Sequence, residues 1–129
     1  MNLLSDHDRL EEGEFRDVAA WQRAMDLSVA IYRFTERWPR VDPLDVVEEI
    51  RQHAVMLPAI IARGFAMGER DALLDGLQNA LNTAKHIDAQ LRLGVRVGFC
   101  SEQTAMPLHQ EIAGTMHEIE APQHRFRTQ

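Results

Sequence analysis

The stretch EFRDVAAWQRAMDLSVAIYRFTERWP, from Glu14 to Pro39, decides the fold. Apolar side chains recur at Val18, Trp21, Met25, Ile31, Phe34 and Trp38, and Ala24, Leu27 and Tyr32 widen the stripe. Steps of three and four residues gather side chains on one face of a helix with 3.6 residues per turn. Asp17 can cap the start, because its carboxylate accepts orphan backbone N–H groups of the first turn. Pro39 ends the helix, since it disfavours the helical region for the residue before it and donates no hydrogen bond. The stripe is wider than one partner helix covers. It predicts a helix packed between neighbours, or one that also faces another subunit.

Three further helices are legible downstream. The second opens at Asp42-Pro43, a capping residue followed by proline at the first helical position. Its seam is Val47, Ile50, Ala54, Leu57 and Ile61, and Gly64 is its expected stop. Pro58 removes the hydrogen bond to the Ala54 carbonyl, which predicts a kink; two short helices meeting near Leu57 are the alternative. The third helix is expected from about Glu69 to about Val97, on the face of Leu73, Leu74, Leu77, Ala80, Leu81, Ala84, Ile87 and Leu91. Gly98 and Phe99 turn the chain, and Ser101 caps a fourth helix with a thinner seam at Ala105, His109, Ile112, Met116 and Ile119. Pro107 lies early in that helix, and Pro122 is expected to end it. Asp75-Gly76 falls in helical register between Leu74 and Leu77, so it reads as helix interior and not as a hairpin turn.

Long helices joined by short links favour an all-α, antiparallel up-down-up-down four-helix bundle. Residues 15–121 form the bundle, flanked by an acidic N-terminal tail (1–14) and a loose C-terminal tail (122–129). At 129 residues the chain supports one core without disulfide or metal staples. Its single cysteine, Cys100, excludes an intrachain disulfide and fits a reducing compartment. No basic start with an apolar run marks a signal peptide, and no apolar run reaches the roughly 20 residues of a membrane helix. The expectation is a cytoplasmic protein. Lys85 is the only lysine among 14 basic residues, a composition bias without mechanistic weight.

Three segments carry a family resemblance: FRDVAAWQRAMDLSVAIYRFTERWP, then IRQHAVMLPAIIARG, and the weaker QLRLGVRVGF. They resemble the four-helix-bundle family named for proteins encoded in intervening sequences of 23S ribosomal RNA genes. There an aromatic-Arg-Asp start leads into a Trp-Gln-x-Ala-Met helix, and the second helix carries proline in an apolar core. The likeness spans about residues 14 to 120. The chain departs from the pattern at Gln52 and His53, at Ala59 and Ile60, at Arg63 before Gly64, and at Phe99, which stands for a tyrosine. The family is itself similar to the accessory protein of diversity-generating retroelements, a pentameric bundle that binds reverse transcriptase and nucleic acid. The resemblance implies a homopentameric ring without established enzymatic activity.

The residues themselves offer little catalytic chemistry. Bundle metal sites of the di-iron type need Glu-x-x-His on two helices, and this chain has none. Glu49 and His53 are four apart, and could hold one edge of a metal or form a solvated pair. His109 reads as a core histidine with a hydrogen-bond partner. There is no Gly-x-Ser-x-Gly, no glycine-rich phosphate loop, and no basic residue beside Cys100 to activate its thiol. The six methionines, Met25, Met56 and Met116 among them, fall mainly at core-like spacings and call for no cofactor. The expectation is no enzyme, no metal and no cofactor.

Two functional classes remain. One is a homo-oligomeric interaction module that presents repeated surfaces to itself and to a protein partner. Helix one is too apolar for one side of a bundle, which assigns Trp21, Met25, Tyr32 and Trp38 to the subunit interface. The alternative is a nucleic-acid-binding accessory protein acting with ribosomal RNA or a reverse transcriptase, through Arg16, Arg23, Arg51 and Arg63. The net charge of −6 opposes it, and a pentamer would carry about −30.

Overall fold

The computed structural model describes residues 18–127, with side chains as far as Gln123. Four helices follow one another: α1 (Ala19–Thr35), α2 (Val46–Ala66), α3 (Arg70–Arg96) and α4 (Glu102–Arg127). No strand occurs among the described residues. α1 packs on α2 and α4, and α3 packs on the same two, while the diagonal pairs do not meet. The result is a four-helix bundle around a single core. Leu27, Ile31, Ile50, Leu57, Ile61, Leu73, Leu77, Ile87, Leu91, Ile112 and Ile119 are fully buried in it. Each side chain of that size contributes about 1.5–3 kcal/mol relative to remaining in water.

The helix ends depart from the sequence reading in instructive ways. α1 stops at Thr35, short of Pro39, and a turn carries the chain to Trp38, whose N–H bonds the Thr35 carbonyl at 3.0 Å. Residue 18 occupies the N-cap position without a side-chain cap; Asp17 lies outside the described residues, as does the acidic segment expected as a tail. α2 starts at Val46, not at Pro43. Asp42 still caps it, but across an intervening turn: its carboxylate accepts the N–H groups of Leu44 and Val47 at 3.1 and 2.9 Å. Asp45 completes that turn with φ of 54°, a left-handed conformation that aspartate tolerates better than most side chains. α2 passes through Pro58 as one continuous helix, so the alternative of two short helices is overturned.

Gly64 does not stop α2; the helix runs on to Ala66, and Gly68, at φ of 70°, makes the exit. Gly64 serves packing instead. A Cβ on Gly76 would stand 3.0 Å from the Gly64 Cα, so the two glycines let α2 and α3 approach backbone to backbone. Gly94 plays a comparable part lower on α3, where a Cβ would occupy the space of the Trp38 ring. Ser101 caps α4 as expected, its Oγ accepting the Thr104 N–H at 3.0 Å. α4 continues past Pro122 to Arg127, which corrects the expectation of a loose tail from that residue. Proline there removes one hydrogen bond, to the carbonyl four residues back, and the flanking turns hold the helix.

Pairwise contacts fix which levels face each other. On the α2–α3 seam, His53 stacks on His86 with ring centroids 5.4 Å apart, and His53 Nδ1 is hydrogen-bonded to Gln90 Oε1 at 3.1 Å. On the α1–α2 seam the Ser28 hydroxyl donates to the Ala54 carbonyl. On the α3–α4 seam His109 Nδ1 meets Asp88 Oδ1 at 2.8 Å, the hydrogen-bonded histidine that its place on an apolar seam predicts.

Candidate functional site

The four aromatic and sulfur side chains expected at an interface do not share one fate. Trp38 is buried, with 4% of its surface exposed, between Phe34, Phe99 and Gly94. Its assignment to the interface is therefore corrected. Trp38 continues the buried row of Leu27, Ile31 and Thr35, and its ring fills the space that Gly94 leaves on α3. Trp21 is half-buried and packs against the core that contains Ile50, so only part of it is left for the interface assigned to it. Met25 and Tyr32 remain on the surface, 39% and 57% exposed.

Met25 and Tyr32 are joined by a residue the sequence reading passed over. Val29, 47% exposed, stands four residues after Met25 and three before Tyr32, so the three line one outer strip of α1. Val55, 68% exposed, borders the same face from α2, where it and Tyr32 line one groove. The signal for Val55 was present: it is apolar yet falls outside the 47–50–54–57–61 seam. Met56 also lies outside the core, half exposed, against the expectation that its spacing is that of a buried residue.

Arg51 organises this face. Its guanidinium lies 4.4 Å from the centroid of the Tyr32 ring, its Nε donates to Thr35 Oγ1 at 2.7 Å, and its Nη2 donates to the Tyr32 carbonyl at 3.1 Å. Thr35 in turn donates to the Ile31 carbonyl at 2.8 Å. The arginine thus satisfies a carbonyl at the C-terminus of α1, where positive charge is favoured, and holds Tyr32 in one orientation. The groove beside it, about 1020 Å³, runs between the end of α1, the linking turn and the first half of α2. Apolar walls from Tyr32, Trp38, Val55 and Met56 meet a rim of Glu36, Asp42, Asp45 and Glu48, with Arg40 and Arg51 as the only cations among the described residues.

The arginines proposed for nucleic acid do not converge. Arg23 lies against Gly114 of α4, Arg51 is engaged on the α1–α2 seam, and Arg63 borders the groove between α2 and α3. Arg16 lies outside the described residues.

Elsewhere the titratable groups are structural. Burial alone would raise the Asp88 carboxyl, but hydrogen bonds from Arg92 and His109 outweigh it and hold it below its ordinary value. Burial raises Glu111, against the pull of Arg23. Burial likewise pushes the Cys100 thiol up, with Trp38 a smaller opposing influence, which leaves it further from a reactive thiolate. Glu49 and His53 acquire no further ligand: among the described residues no three of His, Cys, Asp and Glu come together around a possible metal position. None of those helices is long and apolar enough to cross a membrane.

The family model for the 23S rRNA-intervening sequence protein matches this chain over residues 16–121. No curated protein matches it.

Proposed function

Since the chain belongs to the 23S rRNA-intervening sequence protein family, a match that spans α1 to α3 and most of α4, we propose that it is a non-enzymatic module that works by assembling with copies of itself. The supporting observation is the outer face of α1 and α2. Met25, Val29, Tyr32 and Val55 leave apolar surface in water on a bundle whose core is already complete without them. A contiguous apolar patch that folding does not use is characteristic of an interface. Tyr32, held by Arg51, gives that face a rigid amphipathic anchor of the type that concentrates binding energy.

On this reading the module is a pentamer that acts in the cytoplasm and recruits a protein partner as an assembled ring; the family resemblance supports five subunits, and the single cysteine supports a reducing compartment. The scattered arginines and the net charge of −6 argue against the nucleic-acid reading. A double variant, Val29→Glu with Val55→Glu, tests the assignment. Both positions are exposed, so the helical circular dichroism stays as in the unaltered protein while light scattering gives the mass of one chain, 14.8 kDa. An assembly of unchanged mass would remove this face from the interface.

A further inference from the structure

Resting on that reading, we infer that the acidic groove of one copy receives the outer face of the C-terminal half of α3 from the next copy, so that assembly pairs two unlike surfaces of the same chain. The groove rim carries Glu36, Asp42, Asp45 and Glu48 against Arg40 and Arg51. Asp42 is occupied in capping α2, and Asp45 sits in the turn, which leaves Glu36 and Glu48 as the carboxylates free to face a partner. Apolar surface from Tyr32, Val55 and Met56 lies between them.

A face of opposite sign exists on the same molecule. Lys85, Ala89, Arg92, Leu93 and Arg96 are all exposed, and their spacing places them on one side of α3. Leu93, 42% exposed, supplies the apolar centre that the groove walls would cover. Arg92 is tied to Asp88, whereas Lys85 and Arg96 have no ion pair among the described residues. Cations flanking a leucine on α3 match carboxylates flanking apolar walls in the groove, and opposed charges of this kind set both register and rate of association.

The levels also agree. His53, at the inner edge of the first half of α2, stacks on His86 of α3, and Trp38, in the turn that walls the groove, packs on Gly94. The groove and the basic face therefore occupy the same height of the bundle, on different sides of it. A contact between unlike surfaces generates rings when the repeat is a rotation without rise, and filaments when it climbs. Two mating faces at one height give little rise. The geometry favours closure.

Charge reversal separates the possibilities. Glu36→Lys with Glu48→Lys, and separately Lys85→Glu with Arg96→Glu, each weaken assembly roughly a hundredfold in dissociation constant by opposing like charges. All four substitutions in one chain restore the opposite-sign pairing and recover the original mass by light scattering. These residues are exposed, and circular dichroism checks each variant for unchanged helix. In the unaltered protein, added sodium chloride shortens the reach of the pairing and raises the dissociation constant; this arm needs no variant. Reversals that leave the mass unchanged, a fourfold variant that stays dissociated, or an assembly indifferent to salt would each overturn the pairing while leaving self-association intact. An unaltered protein that runs as a single chain would instead remove the underlying reading.

Discussion

The α2–α3 seam and the outer face of α1–α2 are both rich in small and apolar residues, yet they end in opposite states. On the seam, Gly64 and Gly76 bring two backbones together and the flanking leucines and isoleucines are sealed from water. On the outer face, Met25, Val29, Tyr32 and Val55 stay wet beside a groove that no part of the described chain fills. The seam spends its apolar surface on folding. The outer face has surface left over, and nothing else among the described residues covers it.

The comparison predicts that damage on the two sides separates stability from assembly. Ile50→Ala, inside the core, lowers the unfolding free energy by about 2–5 kcal/mol, because the bundle cannot collapse fully onto the lost side chain. Chemical denaturation reads that loss directly, and a change below 1 kcal/mol would mean that α2 buries a different face. Gly76→Val is the next largest effect. Its Cβ would stand 3.0 Å from the Gly64 Cα, backbone against backbone, so α2 and α3 must separate at a cost of about 1–3 kcal/mol.

Asp88→Asn is smaller, on the order of 1 kcal/mol at neutral pH for a partly exposed, charge-assisted hydrogen bond. Its pH dependence carries the sharper test. Asp88 has a depressed folded-state pKa, so the stability it contributes is present above its unfolded value near 3.8 and is lost as the pH falls through the lower folded value. The melting temperatures of the two proteins should therefore converge in acid. A gap of constant size would show that the carboxylate charge is not what matters. Tyr32→Ser, on the outer face, has the least effect on folding, within about 0.5 kcal/mol. Light scattering should nevertheless show it weakening assembly; an equal effect on both properties would erase the distinction between the two regions.

What could be read in the sequence follows from how local each cause is. The long seam of α3 repeats over many turns and its observed bounds, Arg70–Arg96, lie within a residue or so of the expected ones. The Ser101 cap depends on neighbours three residues away, and it too was legible. Trp38 was not. Its burial depends on the space left by Gly94, which lies far along the chain. Gly64 looked like a helix stop because a glycine's local meaning is conformational, whereas here its meaning is the contact with Gly76. For the candidate site, Met25 and Tyr32 were found from periodicity alone. Val29 and Val55 were missed because an apolar residue off the seam signals an interface only once the seam itself is known to be closed. The dispersal of Arg23, Arg51 and Arg63 over three seams likewise depends on tertiary packing.

The central claim is that this bundle carries apolar surface meant for other copies of itself. Size exclusion with in-line light scattering on the unaltered protein, across micromolar concentrations, tests it most directly. The account predicts a mass several times that of the 14.8 kDa chain, five times for the ring that the family resemblance implies. A mass near 14.8 kDa at every concentration would contradict it.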